Sequence, residues 1–137
     1  MPDVALVQGA SRGLGLAFVR CLILQSASSR VIATCRDPIS ASTLQEFAES
    51  HPERVTLLRL DVTDIASLQA VAATVSSLGS PIDLLINCAG VLHSPEGLRP
   101  EKRLQDVSAD NLEEYFRINT IGPLMVIKHL VPLMTRR

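Results

Sequence analysis

The stretch Val4-Ala5-Leu6-Val7-Gln8-Gly9-Ala10-Ser11-Arg12-Gly13-Leu14-Gly15 decides how the rest of the chain is read. Val4 to Val7 are apolar without alternation, which fits a strand buried on both faces. Leu14, Phe18, Cys21, Leu22 and Gln25 then recur at helical spacing until Ser26-Ala27-Ser28-Ser29 interrupts them. Between strand and helix stand Gly9, Gly13 and Gly15 in the pattern G-x-x-x-G-x-G. Glycines at such a turn let a ligand approach the backbone. The helix start beyond them offers unpaired N–H groups and the positive end of the helix dipole, a place that suits a phosphate. The plain alternative is that these glycines only tighten the turn.

Outward from this unit the chain alternates. Val31-Ile32-Ala33-Thr34-Cys35 reads as a second strand, and Ser42-x-x-Gln45 as a capping box opening a short helix to Glu49. Residues 55–60 form a third strand. Ile65, Leu68, Val71, Ala72, Val75 and Leu78 form an amphipathic stripe, stopped by Gly79 and Pro81. Residues 83–87 are a fourth strand and residues 91–106 a long polar loop, of a length that is usually functional or flexible. Residues 110–134 are helical, bent or broken near Gly122-Pro123 and Pro132. Strands alternating with helices predict an α/β fold of βαβ units, with a parallel sheet and right-handed crossovers. Residues 1–137 read as a single domain.

Composition excludes several classes. The chain has 137 residues, 47% apolar and 20% charged, which fits a globular core and not a disordered chain. A net charge of −1 gives no basic excess for nucleic acid or an anionic membrane. With three Phe, one Tyr and no Trp, no base-stacking platform is expected. Cys21, Cys35 and Cys88 are odd in number and widely spaced, which predicts buried free thiols in a reducing compartment. The N-terminal stretch lacks a basic start, and no window approaches the roughly 18 apolar residues of a membrane helix. The expectation is a soluble, cytoplasmic protein. His51, His93 and His129 show no metal-ligand spacing, so no metal site is expected.

Four motifs in order resemble the short-chain dehydrogenase/reductase family, its carbonyl-reductase-like members above all. The glycine turn matches the family's T-G-x-x-x-G-x-G, with Gln8 for the Thr. Asp61-Val62 follows the third strand, where the family's Asp contacts adenine. Asn87-Cys88-Ala89-Gly90 looks like the family's N-N-A-G, with Cys88 for the second Asn. Asn119-Thr120-Ile121-Gly122 matches its N-x-x-G. The resemblance implies a Rossmann-like doubly wound sheet of about four strands in order 3-2-1-4. It implies a dinucleotide site at Gly9, Ser11, Arg12, Gly13, Leu14, Gly15, Arg36, Asp61, Val62, Asn87, Ala89 and Gly90. Plain alternatives stand beside these roles. Asp61 also suits an Asx turn, Asn87 a strand-end hydrogen bond, and Arg12 and Arg36 solvated charges.

A dinucleotide fold places an acid after the second strand for the NAD ribose, or Arg for the NADP 2′-phosphate. Here Arg36 follows Cys35, and Arg12 is a second cation on the same side; both favour NADP over NAD. Asp37 dissents, since a shift of one residue would put it at the ribose.

In the family, hydride transfer uses a Tyr as acid/base, a Lys four residues later, a Ser that polarises the carbonyl and an Asn that holds a relay water. Asn119 is the matching Asn, hence a catalytic candidate, with a kink-forming polar residue beside Pro123 as its plain alternative. Tyr115 is the only tyrosine and the residue four on is Asn119, so Tyr-x-x-x-Lys does not occur in this sequence. The chain resembles the first part of a longer fold, a domain incomplete at its C-terminal side. Its fourth strand is then expected to be an exposed apolar edge. Two readings of function follow. One is the NADP-binding portion of a carbonyl-reducing oxidoreductase, inactive alone. The other is a non-enzymatic short form that binds nucleotide, or a homo- or hetero-oligomeric partner through residues 110–134.

Overall fold

The computed structural model describes residues 2–93 and 99–135. Its strands are β1 (Val4–Gln8), β2 (Arg30–Cys35), β3 (Val55–Arg59) and β4 (Leu84–Asn87). The helices between and after them are α1 (Gly13–Gln25), α2 (Ser42–Glu49), α3 (Ile65–Ser77), α4 (Ala109–Phe116) and α5 (Gly122–Leu130). A π-helical turn, Arg117–Ile121, joins α4 to α5, and a 3-10 turn, Val131–Leu133, follows α5 at Pro132. The sheet is parallel throughout and ordered β3-β2-β1-β4, as the strand–helix alternation and the motif order predict.

Every residue of β1 is buried. Ala5 and Val7 face a core shared with α1 and α2, while Val4 and Leu6 face a second core under α3 and α5. Period-2 alternation divides one apolar run between two helix layers, which is why the run has no polar face. Fully burying an aliphatic such as Leu6 contributes about 1.5–3 kcal/mol, so this central strand anchors both layers.

Several local expectations are corrected. The buried face of α1 is Gly15, Val19, Leu22 and Ile23, whereas Leu14, Phe18, Cys21 and Gln25 are exposed. The helix begins at Gly13 and lays its small Gly15 against the strand, which turns the apolar stripe away from the expected face. Of the three thiols only Cys35 is buried; Cys21 is exposed and Cys88 half-buried. The helix over residues 42–49 forms, but Ser42 is its first helical residue. Ala41 precedes it as cap and no side chain caps it, so the capping box is not made. In α3, Leu68, Val71 and Val75 are buried while the terminal Ile65 and Leu78 are largely exposed. The bend in the last helical stretch falls on Arg117–Ile121, just ahead of Pro123.

β4 is the edge strand of the sheet, as expected, but it is half-buried and not fully exposed. All of its residues are half-buried, and Ile82 just ahead of it is fully buried. Chain from beyond α5 pairs only with Ile82, two residues ahead of the strand. The Ile82 N–H donates to Leu133 O at 3.0 Å and the Thr135 N–H donates to Ile82 O at 2.9 Å. Of the predicted loop over 91–106, residues 94–98 lie outside the described residues; Leu104–Asp106 is a short 3-10 turn.

Candidate functional site

β1 continues through α1 to β2 on one side, while β4 pairs on the other, so the connections diverge between β1 and β4. A crevice at the carboxyl ends of the strands at such a point is where open α/β sheets bind ligands. The glycine turn forms one wall. Gly9 has φ +83° and a Cβ there would stand 2.5 Å from the Ala89 nitrogen, so only glycine lets the two turns meet. A Cβ on Gly15 would run into the Gly9 carbonyl oxygen. Gly13, at φ +56°, has open space where its Cβ would be. Its side therefore faces room and not protein. α1 starts with Arg12 as its cap, without a side-chain cap bond and without an acid in its first turn. Among the described residues no side chain caps its N–H groups, in contrast to α3, where the Asp64 carboxylate accepts from the Ala66 and Ser67 N–H groups. Ser11 is half-buried in the turn, and Leu14 leaves it 75% exposed.

Beside this wall an open cleft of about 460 Å³ runs from the glycine turn to the start of α2. Ser11, Arg12, Arg36, Asp37, Ser42 and Thr43 line it. Arg12 and Arg36 are both exposed there. Asp37 is engaged elsewhere. Its Oδ1 accepts from the Ile39 N–H at 3.0 Å and the Ser40 N–H at 3.3 Å, and its Oδ2 accepts from the Ser40 hydroxyl at 2.7 Å. These bonds, the Ser40 hydroxyl first, hold its carboxyl below the usual carboxylate range. The dissenting acid is thus bonded into its own turn. Ser42 was read in the sequence only as a helix cap and Thr43 not at all; only the fold brings the start of α2 beside Arg36.

Asp61 leaves β3 toward the same end of the sheet. Its Oδ1 accepts from the Thr63 N–H at 2.9 Å and the Thr63 hydroxyl at 2.7 Å, the Asx turn that was its plain alternative. Val62 is buried and lies where a Cβ on Gly122 would come within 2.6 Å of its Cγ2. Gly122 of the N-x-x-G motif therefore makes room for Val62.

The second wall is the turn after β4. Gln8 sits in β1 opposite Asn87 and is buried; its Oε1 accepts from the Ala89 N–H at 3.1 Å. Gln8 thus ties the two walls together. The sequence marked it only as a departure from the family's Thr, and a polar residue closing an apolar run was the one signal of this role. Asn87 Oδ1 is buried without a hydrogen-bond partner. An orphaned buried acceptor at a strand end is the kind of group that a polar ligand or ordered water completes. The Cys88 thiol is pushed up by burial and is a poor nucleophile. Gly90 lies beside Asn119, which sits in the π-helical turn; turns of this kind recur at functional sites. The Asn119 side chain is fully engaged with Val91: Oδ1 accepts from the Val91 N–H at 2.7 Å and Nδ2 donates to Val91 O at 2.7 Å. Among the described residues, no group of three His, Cys, Asp or Glu is placed to hold a metal.

The family model described as short chain dehydrogenase matches residues 3–137. The chain belongs to that family. The short-chain dehydrogenase similarity extends to YusZ, an oxidoreductase of Bacillus subtilis, which is 33% identical over 135 residues, or 97% of this chain and 44% of that protein. Among solved structures, the NADPH-bound carbonyl reductase from chicken fatty liver superposes with a TM-score of 0.83 at 36% identity, covering 96% of this chain and 48% of that one. A short-chain dehydrogenase/reductase of Burkholderia multivorans with bound NADP gives a TM-score of 0.84 at 29% identity, covering 98% and 55%. The chain thus spans about half the length of the relatives it matches. Members of the family bind nicotinamide dinucleotides, and the crevice has the fold position and the open glycine turn that such a group needs. Among the described residues no helix is long and apolar enough to cross a membrane.

Proposed function

We propose that this chain is the NADP-binding portion of a short-chain dehydrogenase/reductase that interconverts carbonyl and alcohol substrates. The observation that carries this reading is the cleft beside the glycine turn. Two exposed guanidinium groups, Arg12 and Arg36, line it, while Asp37 is bonded into its own turn. Arg pairs bidentately with a phosphate, whereas a free acid at this place would favour an unphosphorylated ribose. Gly9, Ser11, Arg12, Gly13, Leu14 and Gly15 would hold the pyrophosphate with backbone N–H groups. Arg12 and Arg36 would hold the 2′-phosphate. Asp61 and Val62 would flank the adenine, with Asn87, Ala89 and Gly90 along the opposite wall. The bound NADPH nicotinamide supplies a hydride. What this chain's residues do is bind and orient it, with Asn119 the one member of the family's catalytic group that the chain carries.

Because Tyr115 is followed four residues on by Asn119 and no Tyr-x-x-x-Lys occurs, the chain has no phenol paired with a lysine to deliver the proton. It is therefore inactive by itself. Calorimetric titration of the pure chain should show NADPH bound at least about 10-fold tighter than NADH, since one charge-assisted hydrogen bond contributes roughly 1.5–3 kcal/mol. Gly13→Asp, which puts a carboxylate into the open space at the turn, should abolish that binding. Tight binding indifferent to Gly13→Asp would sink the site, equal affinity for NADH would sink the NADP assignment, and NADPH oxidation with a carbonyl substrate would sink the inactivity.

A second reading, that the chain acts as a short non-enzymatic form pairing with itself or a longer relative, is favoured by one surface. Leu112, Phe116, Leu124, Ile127 and Val131 are exposed along the stretch whose other face, Val126 and Leu130, is buried in the core. An apolar helical stripe facing outward is the usual mark of an interface. Sedimentation of the wild-type chain against Phe116→Glu decides it: a dimer lost in the variant supports this reading, and a monomer in both cases rejects self-pairing.

A further inference from the structure

The backbone just past the second wall is held in an unusual way. Val91 and Leu92 follow Gly90 and belong to neither a strand nor a helix. Leu92 is 63% exposed, so its side chain does not anchor it in a core. Three of its and Val91's main-chain groups are nevertheless satisfied, all by side chains of one helical stretch. Asn119 pairs with the Val91 N–H and Val91 O at 2.7 Å each, and the Tyr115 hydroxyl donates to Leu92 O at 3.0 Å. Tyr115 and Asn119 stand four residues apart, on one face of the helix. Successive residues of extended chain advance about 3.3 Å, whereas helix positions four apart are separated by about 6 Å. A short side chain at 119 and a long one at 115 suit that mismatch. Burial, with the Glu101 carboxylate adding to it, pushes the Tyr115 phenol up from its ordinary value, so it stays a donor at neutral pH.

We propose that Tyr115 and Asn119 form a two-point latch on Val91 and Leu92, and that Tyr115 is a positioning residue for the nicotinamide side of the crevice. The second half rests on the nucleotide reading above. Asn119 fixes where the chain leaves Gly90, and Tyr115 fixes the direction in which it continues. Neither touches the 2′-phosphate cleft. The latch is polar: it orders backbone whose side chain is in solvent, at the cost of a few hydrogen bonds.

The test uses Tyr115→Phe, which removes one oxygen and keeps the ring, with Leu92→Ala as the control that removes the exposed side chain and keeps its carbonyl. Hydrogen exchange at the Val91 amide, which Asn119 holds, should speed up in Tyr115→Phe and stay unchanged in Leu92→Ala, with thermal midpoints confirming that both fold. NADPH affinity should fall about 2- to 10-fold in Tyr115→Phe, the range one neutral hydrogen bond covers. The affinity for 2′,5′-ADP, which lacks the nicotinamide half, should not change. A merely structural role would lower both affinities together. Tyr115 is the only tyrosine and tryptophan is absent, so in the wild type the tyrosine emission reports this phenol alone and should change when NADPH binds. Unchanged exchange in Tyr115→Phe overturns the latch. So does an effect of Leu92→Ala as large as that of Tyr115→Phe, because the hold would then be apolar. Equal loss of NADPH and 2′,5′-ADP affinity overturns the positioning role. If the wild type binds neither nucleotide, the proposed function fails, and the exchange contrast alone still upholds or overturns the latch.

Discussion

β1 and β4 lie side by side, run parallel and end at the same crevice, yet the turns that follow them are held by different means. β1 has a ladder on each side and every residue buried, while β4 has one ladder, with β1, and only half-buried residues. The turn after β1 is shaped by close backbone approaches: Gly9 against Ala89, and Gly15 under the Gly9 carbonyl. The turn after β4 is shaped by side chains that reach it from elsewhere, Gln8 from β1 and Asn119 from the π-helical turn. A wall defined by backbone contact has no slack, because no rotamer change can relieve an added atom. A wall defined by side-chain hydrogen bonds loses its hold one bond at a time. The β1 side should therefore fail all at once under substitution, and the β4 side in steps.

The largest effect should come from Gly15→Ala. One methyl group would meet the Gly9 carbonyl, which is itself fixed by the Gly9 and Ala10 N–H groups donating to Thr34 O at 3.0 and 2.9 Å. Urea unfolding should show a loss of about 3 kcal/mol or more, at the top of the overpacking range. A loss below about 1 kcal/mol would mean that the turn can give way after all. Gln8→Leu comes next. It keeps the bulk at a buried position but leaves the Ala89 N–H without its acceptor, which should cost about 1–3 kcal/mol. Gly122→Ala should cost about 1–2 kcal/mol through its contact with Val62, and Val62→Ala in the same chain should recover part of that loss. If the two changes add without coupling, the contact is not the source.

The same contrast explains what was legible in the sequence. β1, the glycine turn and the strand order follow from an apolar run, three glycines and the strand–helix alternation, all local signals. The α1 face was misread because Leu14 and Phe18 fit helical spacing as well as Gly15 and Val19 do. Only the close approach of Gly15 to the strand decides between them, and that contact is tertiary. The capping box at Ser42 failed for a related reason: the helix starts one residue earlier than a Ser cap requires, after a turn stitched by Asp37 and Ser40. The bonds of Tyr115 and Asn119 to Val91 and Leu92 span 23 and 28 residues, and no local spacing encodes them. Gln8 looked like a simple departure from a motif, until the pairing of Gln8 with Asn87 in register placed its amide beside the turn after β4.

The smallest expected effect tests two neighbouring turns held in part by charge, at Asp37 after β2 and at Asp64 ahead of α3. Asp37 and Asp64 both have carboxyls below the usual value of 3.8, Asp37 through the Ser40 hydroxyl and Asp64 chiefly through the Ser67 N–H, with Arg59 at 3.3 Å adding to it. A carboxyl with a lowered folded value stabilises the native state above the unfolded value. That contribution disappears as pH falls through the folded one. The thermal midpoint should therefore hold down to about pH 5 and decline below about pH 4. Both groups are solvent-exposed, so the decline should be shallow and weaker still at high salt. Asp37→Asn keeps an acceptor for the Ile39 N–H and removes the charge, so it should flatten part of the acid decline and leave the rest to Asp64. A decline unchanged in Asp37→Asn but lost in Asp64→Asn would put the whole effect at the cap of α3. The turn at Asp37, which borders the cleft beside the glycine turn, would then owe nothing to charge, and that cleft wall would be held by geometry as the glycine turn is.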